Sequence, residues 1–284
     1  MRLQNQWSVV HKIAKSICGF AVISLLALSA SAARASQIET LLISDIDDTL
    51  KVAHVLNKTE TLQNAFRVDI PFLGMTSLFQ MYAMHKEYLL FVYLSNAPEM
   101  LMYDKHAALL KNAKFPAGEL FLRKSLGDNE HKNRTIRALV KKYQPQNLIL
   151  IGDNAEQDTL IYARAAAEFP QLNVRTYIHQ LYSASARSEA GKNLEKNQIG
   201  YVTAVDLALK WFALGEIKPE ILKAWVSQIV PAINQEPLDQ AVGVLAFPSW
   251  MNCRDYIPAR EEENSSDPVI RQYVHKRDQR CGIQ

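Results

Sequence analysis

Four short apolar runs, separated by segments with helical spacing, constrain the fold of this chain more than any other feature. The runs are IETLLIS (38–44), YLLFVYLS (88–95), NLILIG (147–152) and NVRTYIH (173–179). The first three are continuous rather than alternating, which is typical of strands covered on both faces of a parallel sheet. The sequence therefore predicts an α/β fold with a mostly parallel sheet sandwiched by helices.

Polar side chains stand at the ends of the first three predicted strands. Asp45 and Asp47 follow the first strand, Ser95 and Asn96 end the second, and Asp153 follows the third. Each of these patterns alone is common in turns. In a parallel sheet, however, the carboxyl ends of the strands meet at one edge, where ligands bind. Their convergence predicts a functional site at this edge.

The first of these segments crowds Asp45, Asp47 and Asp48 into four positions behind an apolar run. Carboxylates this close repel one another, and they are costly beside an apolar core unless a cation compensates them. A calcium-binding loop would place Gly at its sixth position and Glu at its twelfth. Counted from Asp45, these positions hold Leu50 and Leu56, which argues against such a loop.

Four segments of the chain, in order and spacing, resemble the haloacid-dehalogenase-like phosphohydrolases. More narrowly, they are similar to the catalytic domain of the actin-patch type phosphatidate phosphatases. The segments are SDIDDTLKVAHV, FVYLSNAPEML, GELFLR and LILIGDNAEQDTLIYARAAAEFP, between about residues 41 and 180. The resemblance implies a Rossmann-like fold and a phosphomonoesterase that acts through an aspartyl-phosphate. The tetrapeptide GDNA departs from the GDSG usual in the closest family, which puts the fit of the substrate in question.

The resemblance assigns catalytic roles to individual residues. Asp45 would attack phosphorus as the nucleophile. Asp47 would protonate the leaving alkoxide and then deprotonate the attacking water. Lys132 would stabilise the charge on the nucleophile and on the phosphoryl group, with Lys124 as the alternative for this role. Ser95 would hydrogen-bond the transferring phosphoryl oxygens, and Asp48 receives no role.

The resemblance also implies two sets of ligands. The side chains that would bind the substrate phosphate are Thr49, Ser95, Asn96 and Lys132. The acidic residues that would bind Mg²⁺ are Asp45, Asp47 through its backbone carbonyl, Asp153 and, as an additional or outer ligand, Asp158. A bound Mg²⁺ would partly neutralise the crowded carboxylates.

The spacing of the motifs bears on the substrate. The gaps 50–87 and 97–131 leave no room for a folded cap, so the sequence predicts a minimal cap and a site open to solvent. Such a site suits a phosphoryl group on a bulky carrier. We therefore expect phosphatidate or a related lipid phosphate as substrate. A nucleotide, sugar phosphate or phosphoprotein, or a catalytically dead binding protein, remains the alternative.

Residues 1–35 have the pattern of a cleavable secretory signal peptide. A basic opening precedes the apolar segment ICGFAVISLLALSASA, and ARA precedes a cut before Ser36. The apolar run is shorter than the roughly 20 residues of a membrane-spanning helix. We therefore expect a periplasmic or secreted mature protein without a transmembrane helix. Losing the four basic residues of this segment turns the formal net charge of +3 into −1, which argues against nucleic acid as a partner.

The mature chain is predicted to have two parts. Residues 36–183 would form the haloacid-dehalogenase-like catalytic domain, and residues 184–284 a mainly helical extension packed on it. Four apolar residues of the extension have helical spacing, which favours a core position: Trp211, Phe212, Trp225 and Val230. Transient contact of these side chains with a membrane surface is the alternative that the pattern leaves open.

Cleavage of the signal peptide would leave two cysteines, Cys253 and Cys281. In an oxidising compartment, such a pair is compatible with one disulfide that closes a loop near the C-terminus. Two unpaired thiols are the alternative. Lys51, His54 and Arg123 could contact a substrate head group or lie on the surface.

Overall fold

The computed structural model describes residues 38–187, 190–259 and 266–283. Within them, six strands form one parallel sheet in the order β3-β2-β1-β4-β5-β6. The strands are β1 (Thr40–Ser44), β2 (Leu89–Pro98), β3 (Gly118–Arg123), β4 (Asn147–Asp153), β5 (Asn173–His179) and β6 (Gln198–Tyr201). The predicted α/β fold with a parallel sheet is confirmed.

Eight helices accompany the sheet in the described residues. They are α1 (Lys58–Ala65), α2 (Met75–His85), α3 (Glu99–Asn112), α4 (His131–Tyr143), α5 (Asp158–Glu168), α6 (Ala204–Ala213), α7 (Pro219–Asn234) and α8 (Pro268–Cys281). Side chains cap the N-termini of several of these helices. Asn57 caps α1 by accepting hydrogen bonds from two backbone amides, and Thr203 and Asp206 form a capping box at α6.

Apolar side chains of the sheet are buried on both of its faces. In β1, Leu41 and Ile43 pack on the side covered by α4 and α5. Leu42, between them, packs in the larger cluster that includes α2, α6 and α7. This double burial explains why the strand reads as a continuous apolar run rather than an alternating one.

The central position of β1 brings the predicted site together. This strand pairs with β2 on one side and β4 on the other, and Ser44 lies opposite Tyr93 and Ile151. The chain therefore leaves β1, β2 and β4 at neighbouring points of one sheet edge. Because the strands are parallel, these points are all carboxyl ends, where ligands bind in such sheets.

The C-terminal helices bury the apolar stripe that the sequence indicated. Trp211 is fully buried, and its ring lies 4.4 Å from that of Tyr82 on α2. Trp225 and Val230 are also buried, whereas Phe212 is 38% exposed. An ion pair of 2.9 Å between Arg277 and Asp206, both buried, links α8 to α6. The stripe is thus mostly core.

The sheet includes two strands that the sequence patterns did not identify. GELFLR, quoted only as a motif, forms β3, and QIGY forms β6. Both are edge strands with polar residues, which weakens the apolar signal. Since β6 follows residue 183, the sheet continues beyond the proposed end of the catalytic domain. The division at residue 183 remains a prediction, and the predicted signal peptide lies outside the described residues.

The disulfide that the sequence left open is formed between Cys253 and Cys281. It joins the end of α8 to the segment after α7, and both residues are buried. Among the described residues, no helix has the length and apolarity needed to cross a membrane.

Replacing Cys253 and Cys281 by Ser is expected to lower the free energy of unfolding by about 3 kcal/mol, because the cross-link restricts the unfolded chain over a separation of 28 residues. Urea unfolding followed by circular dichroism measures this difference. A reductant should lower the unfolding midpoint of the unsubstituted protein and leave the double variant unchanged. Equal midpoints for the oxidised protein and the double variant would contradict the expectation.

Candidate active site

Asp45 and Lys132 form the central contact of the site. Asp45 directly follows β1, and its backbone amide donates to the carbonyl of Ile151 on β4 at 2.8 Å. Lys132 lies in the first turn of α4, and its Nζ lies 2.6 Å from Asp45 Oδ1 and 2.5 Å from Asp158 Oδ1. Lys124, the alternative lysine, is exposed on the loop after β3. The structure thus brings Lys132, and not Lys124, to Asp45, the predicted nucleophile.

Three buried carboxylates, from Asp45, Asp153 and Asp158, surround this contact. One oxygen of each lies within 4.8 Å of the others. Burial raises the pKa of both Asp45 and Asp153, and the charge of Asp158 raises both further, while Lys132 opposes the shift at Asp45. Although burial acts to lower it, the pKa of Lys132 is raised by Asp158 and Asp45. When all three carboxylates are ionised, the one ammonium group leaves an excess of negative charge, which the raised pKa values of Asp45 and Asp153 oppose.

The donor set of this cluster fits a hard divalent cation. All three side chains offer carboxylate oxygens, which such ions prefer. Oδ2 of Asp158 is buried and has no hydrogen-bond partner in the described residues. Oδ1 of Asp153 accepts a hydrogen bond of 2.7 Å from the amide of Ala155, which fixes its direction. A bound cation would supply the charge that the cluster lacks.

Gly152, the last residue before Asp153, makes room for this cluster. A Cβ built on Gly152 would overlap the carboxylate of Asp158 and would crowd the ring of Tyr162. Asp158 begins α5, and its side chain folds back against the end of β4. The Gly-Asp sequence at the strand end thus has a packing reason as well as a place in the motif.

Asp47 lies between two basic side chains. Its Oδ2 is 3.2 Å from Nε2 of His106 on α3, and its Oδ1 is 3.6 Å from Nζ of Lys51. Burial acts to raise the pKa of Asp47, but His106 and Lys51 outweigh it and lower the pKa to about 2. Sequence reasoning missed His106 because it lies in a helix, eleven residues after the nearest motif residue Ser95, and no spacing rule pointed to it.

The predicted phosphate-binding residues lie at the same edge. Thr49 is buried, and its hydroxyl has no partner among the described residues. Ser95 is buried and its hydroxyl accepts a hydrogen bond of 3.0 Å from the amide of Ala97. The register of β2 against β3 shifts between Ser95 and Pro98, so Asn96 lies in an irregular segment. Such bulges redirect side chains at strand ends.

Asp48, which received no role, anchors the segment after the first motif. Its carboxylate accepts hydrogen bonds from the amides of Ala53, His54 and Val55 at 2.7–2.9 Å and from Tyr182 Oη at 2.5 Å. Burial raises the pKa of Asp48 despite these donors. The third aspartate of the crowded segment therefore holds the backbone beside the site.

Asn154 is the residue that makes this motif GDNA, where the related family has GDSG. Its Oδ1 accepts from the amides of Leu181 and Tyr182 at 3.0 and 3.1 Å. Its Nδ2 donates to the carbonyls of Tyr182 and Lys192 at 2.6 and 3.3 Å. The amide thus ties the end of β4 to the loop after β5, and its bonding capacity goes to the fold.

Two residues weighed as head-group contacts have other partners. Lys51 is buried and, besides facing Asp47, donates to the carbonyl of Ala65 at 3.1 Å. His54 stacks on Trp250 at a ring distance of 4.2 Å. Arg123 is half-buried at the end of β3. The structure thus excludes a surface role for Lys51 and gives His54 an aromatic partner.

Substituting Gly152→Ala is expected to weaken the binding of a divalent cation by about tenfold or more, because the new Cβ displaces the Asp158 carboxylate. A cation titration followed by the shift in the unfolding temperature measures this change. Gly127→Ala is the matched control, because a Cβ there meets no atom within 4 Å. Unchanged cation affinity in a folded Gly152→Ala protein would contradict the assignment of Asp158 to the cluster.

Comparison with known proteins adds to this geometry. A family model described as the catalytic domain of phosphatidate phosphatase APP1 matches residues 40–180, about half of the chain. The HAD domain of effector protein Lem4 from Legionella pneumophila is similar with 14% identity and a TM-score of 0.37, over 50% of this chain and 86% of that chain. A class C acid phosphatase from Bacillus anthracis is similar with 13% identity and a TM-score of 0.35, over 53% and 71%. No curated protein matches the chain significantly.

The residues matched by the family model contain the motif side chains described above. They run from β1, which precedes Asp45, to the end of β5, and they include Lys132 and Asp153. The motifs therefore occur together with the fold and the sheet edge that the sequence resemblance implied. By this match and this geometry, the chain belongs to the haloacid-dehalogenase-like phosphohydrolase superfamily.

Proposed function

We propose that this phosphatase hydrolyses a phosphomonoester with the help of Mg²⁺, through an aspartyl-phosphate on Asp45, and that its substrate is phosphatidate or a related lipid phosphate. One observation carries the proposal: Lys132 pairs with Asp45 inside a buried cluster of three carboxylates. A buried cluster with this excess of negative charge is costly for stability alone. A role in binding a cation and a phosphoryl group explains why it is there.

In the first step, the carboxylate of Asp45 attacks phosphorus while the bond from phosphorus to the leaving oxygen breaks. Asp47, two residues on, gives a proton to that oxygen. Because His106 and Lys51 lower the pKa of Asp47 to about 2 before substrate binds, the carboxylate must take up this proton when the negatively charged phosphoryl group arrives beside it and raises its pKa. Lys132, which contacts Asp45, stabilises the negative charge of the phosphoryl group. The products are the free alcohol and a phosphorylated Asp45.

In the second step, water attacks the phosphorus of the aspartyl-phosphate. Asp47, now ionised, accepts a proton from this water. The bond between phosphorus and the Asp45 oxygen breaks, and inorganic phosphate leaves. The same carboxylate thus acts as acid and then as base, which requires that it stay close to the leaving and attacking oxygens in turn.

The side chains of Asp45, Asp153 and Asp158 and the carbonyl of Asp47 would hold Mg²⁺. When bound, the ion supplies positive charge at the phosphoryl oxygens and keeps Asp45 ionised. This offsets the effect of burial, which otherwise raises the pKa of the nucleophile. Two of the carboxylates come from different strands, so the fold must form before the ion can bind.

Support for a lipid carrier comes from the surroundings of the site. Exposed apolar side chains lie on the segments that border it: Phe66 is 60% exposed, Met100 93% and Leu101 63%. Phe66 follows Ala65, whose carbonyl Lys51 contacts beside Asp47, and Met100 and Leu101 begin α3 directly after β2. Apolar side chains at the rim of a phosphatase site suit a phosphate carried on acyl chains and a transient contact with a membrane surface.

The proposal includes export of the protein. It is supported by the signal-peptide pattern of residues 1–35 and by the disulfide between Cys253 and Cys281. Disulfides persist in secreted and periplasmic proteins and are rare where thiols are kept reduced. The enzyme would then act on phosphoesters outside the cytoplasm.

Asp45→Asn is expected to abolish phosphate release, by about 10³-fold or more, because the amide is a poor nucleophile. Removal of Mg²⁺ by a chelator should do the same, and added Mg²⁺ should restore turnover. Phosphate release is measured by a colorimetric assay. Asp69→Asn, at an exposed position of the same region, is the control with expected full activity. Turnover that survives either treatment would contradict the mechanism.

A lipid substrate predicts a higher kcat/KM for phosphatidate in mixed micelles than for glycerol phosphate, which lacks acyl chains. Replacing Met100 and Leu101 by Ser should reduce only the lipid activity, because these side chains contact the carrier rather than the phosphate. Phosphate release from both substrates measures the difference. A preference for nucleotides, sugar phosphates or phosphoproteins would favour the alternative substrates with the same chemistry.

A further inference from the structure

His106 is a buried, ionisable side chain that the proposed steps do not use. It lies in the middle of α3, is fully buried, and has its Nε2 3.2 Å from Oδ2 of Asp47. Both ring nitrogens are buried, and neither makes a hydrogen bond in the described part of the chain; the approach of Nε2 to Asp47 is an ion-pair contact. The contact with Asp47 is therefore the polar interaction that the structure gives this ring.

We infer that His106 is a positioning residue, which fixes the carboxylate of Asp47 for proton transfer to the leaving oxygen. The inference rests on the proposed function, because it deepens the role of Asp47 in that chemistry. His106 acts through Asp47 and has no contact of its own with the reacting atoms.

The two oxygens of Asp47 are held from different directions. Oδ1 faces Lys51, whose Nζ is fixed by a second contact with the carbonyl of Ala65 at 3.1 Å. Oδ2 faces His106. With both contacts present, rotation of the carboxylate about its Cβ–Cγ bond breaks at least one of them. Without His106, Lys51 alone would hold the group, at 3.6 Å.

Orientation matters here because a general acid must lie within hydrogen-bond reach of the oxygen that it protonates. A displacement of about 1 Å can reduce such a rate by roughly a hundredfold. The helix that carries His106 begins directly after Pro98, close to Ser95 and Asn96. The contact therefore fixes the acid relative to the segment that is proposed to bind the phosphoryl group.

The position of His106 in its helix also supports a positioning role. The buried residues of α3 are Met102, His106 and Leu109, which have the spacing of one helix face. An apolar residue at position 106 would fill this face without the cost of burying a polar ring. A histidine here has a reason only in what its nitrogen contacts, and that is Asp47.

Two substitutions distinguish the nitrogen that makes this contact. In His106→Gln, the side-chain amide can place its nitrogen near the site of Nε2, whereas in His106→Asn the amide nitrogen reaches only the site of Nδ1. His106→Gln should therefore keep much of the activity, and His106→Asn and His106→Leu should lose it. Circular dichroism and thermal unfolding of each variant identify any that fails to fold.

The dependence of kcat/KM on the leaving group distinguishes a positioning role from general structural damage. Phenyl phosphate and p-nitrophenyl phosphate have similar shapes, but p-nitrophenolate leaves without needing a proton, whereas phenolate leaves far less readily. In His106→Asn and His106→Leu, kcat/KM for phenyl phosphate should fall by about 10²-fold. The value for p-nitrophenyl phosphate should fall by less than about threefold, and the unsubstituted protein and His106→Gln should keep similar ratios.

The outcomes separate the inference from the function on which it rests. No Mg²⁺-dependent turnover of either ester by the unsubstituted protein would overturn the proposed function, and the inference with it. With an active unsubstituted protein, equal losses on the two esters, or equal behaviour of the Gln and Asn variants, would overturn the inference alone. If His106→Leu does not fold, the comparison of Gln with Asn decides the point.

Discussion

The placement of one ammonium group among three buried carboxylates is the constraint on which the site depends. Lys132 contacts Asp45 and Asp158 directly, and Asp153 completes the cluster. Because the groups are buried, their charges interact strongly and water screens them little. Additional positive charge would stabilise the cluster, so the same interaction that assembles the site would also suit it to the proposed binding of a cation and a phosphoryl group.

The sheet makes this crowding possible. With β1 in the centre and β2 and β4 beside it, the residues proposed as nucleophile, phosphate ligands and metal ligands follow neighbouring strands at one edge. Other polar residues of the motifs form hydrogen bonds with the backbone around this edge. Asp48 fixes the segment 53–55, and Asn154 fixes the loop after β5. The motifs therefore combine the residues proposed to carry the chemistry with residues that hold the loops in place.

The fold and the acidic residues that lie together in the central cluster could be predicted from the sequence. Continuous apolar runs identified the buried strands, and polar residues at strand ends identified the edge. The contacts of the Asp47 side chain could not be predicted in this way. Lys51 looked like a surface or head-group residue and is buried, and His106 belongs to no motif. The contact between Asp47 and His106 connects residues far apart in the chain, and local periodicity contains no information about it.

The sequence by itself determined the strand pattern, the order of the motifs and the identity of the carboxylates, because these depend on local spacing and residue chemistry. Only the tertiary structure decided that Lys132 rather than Lys124 meets Asp45, that Cys253 pairs with Cys281, and that β6 extends the sheet. Each of these outcomes depends on distances between segments that are remote in sequence. Packing of the whole chain sets those distances, and no short stretch of residues specifies them.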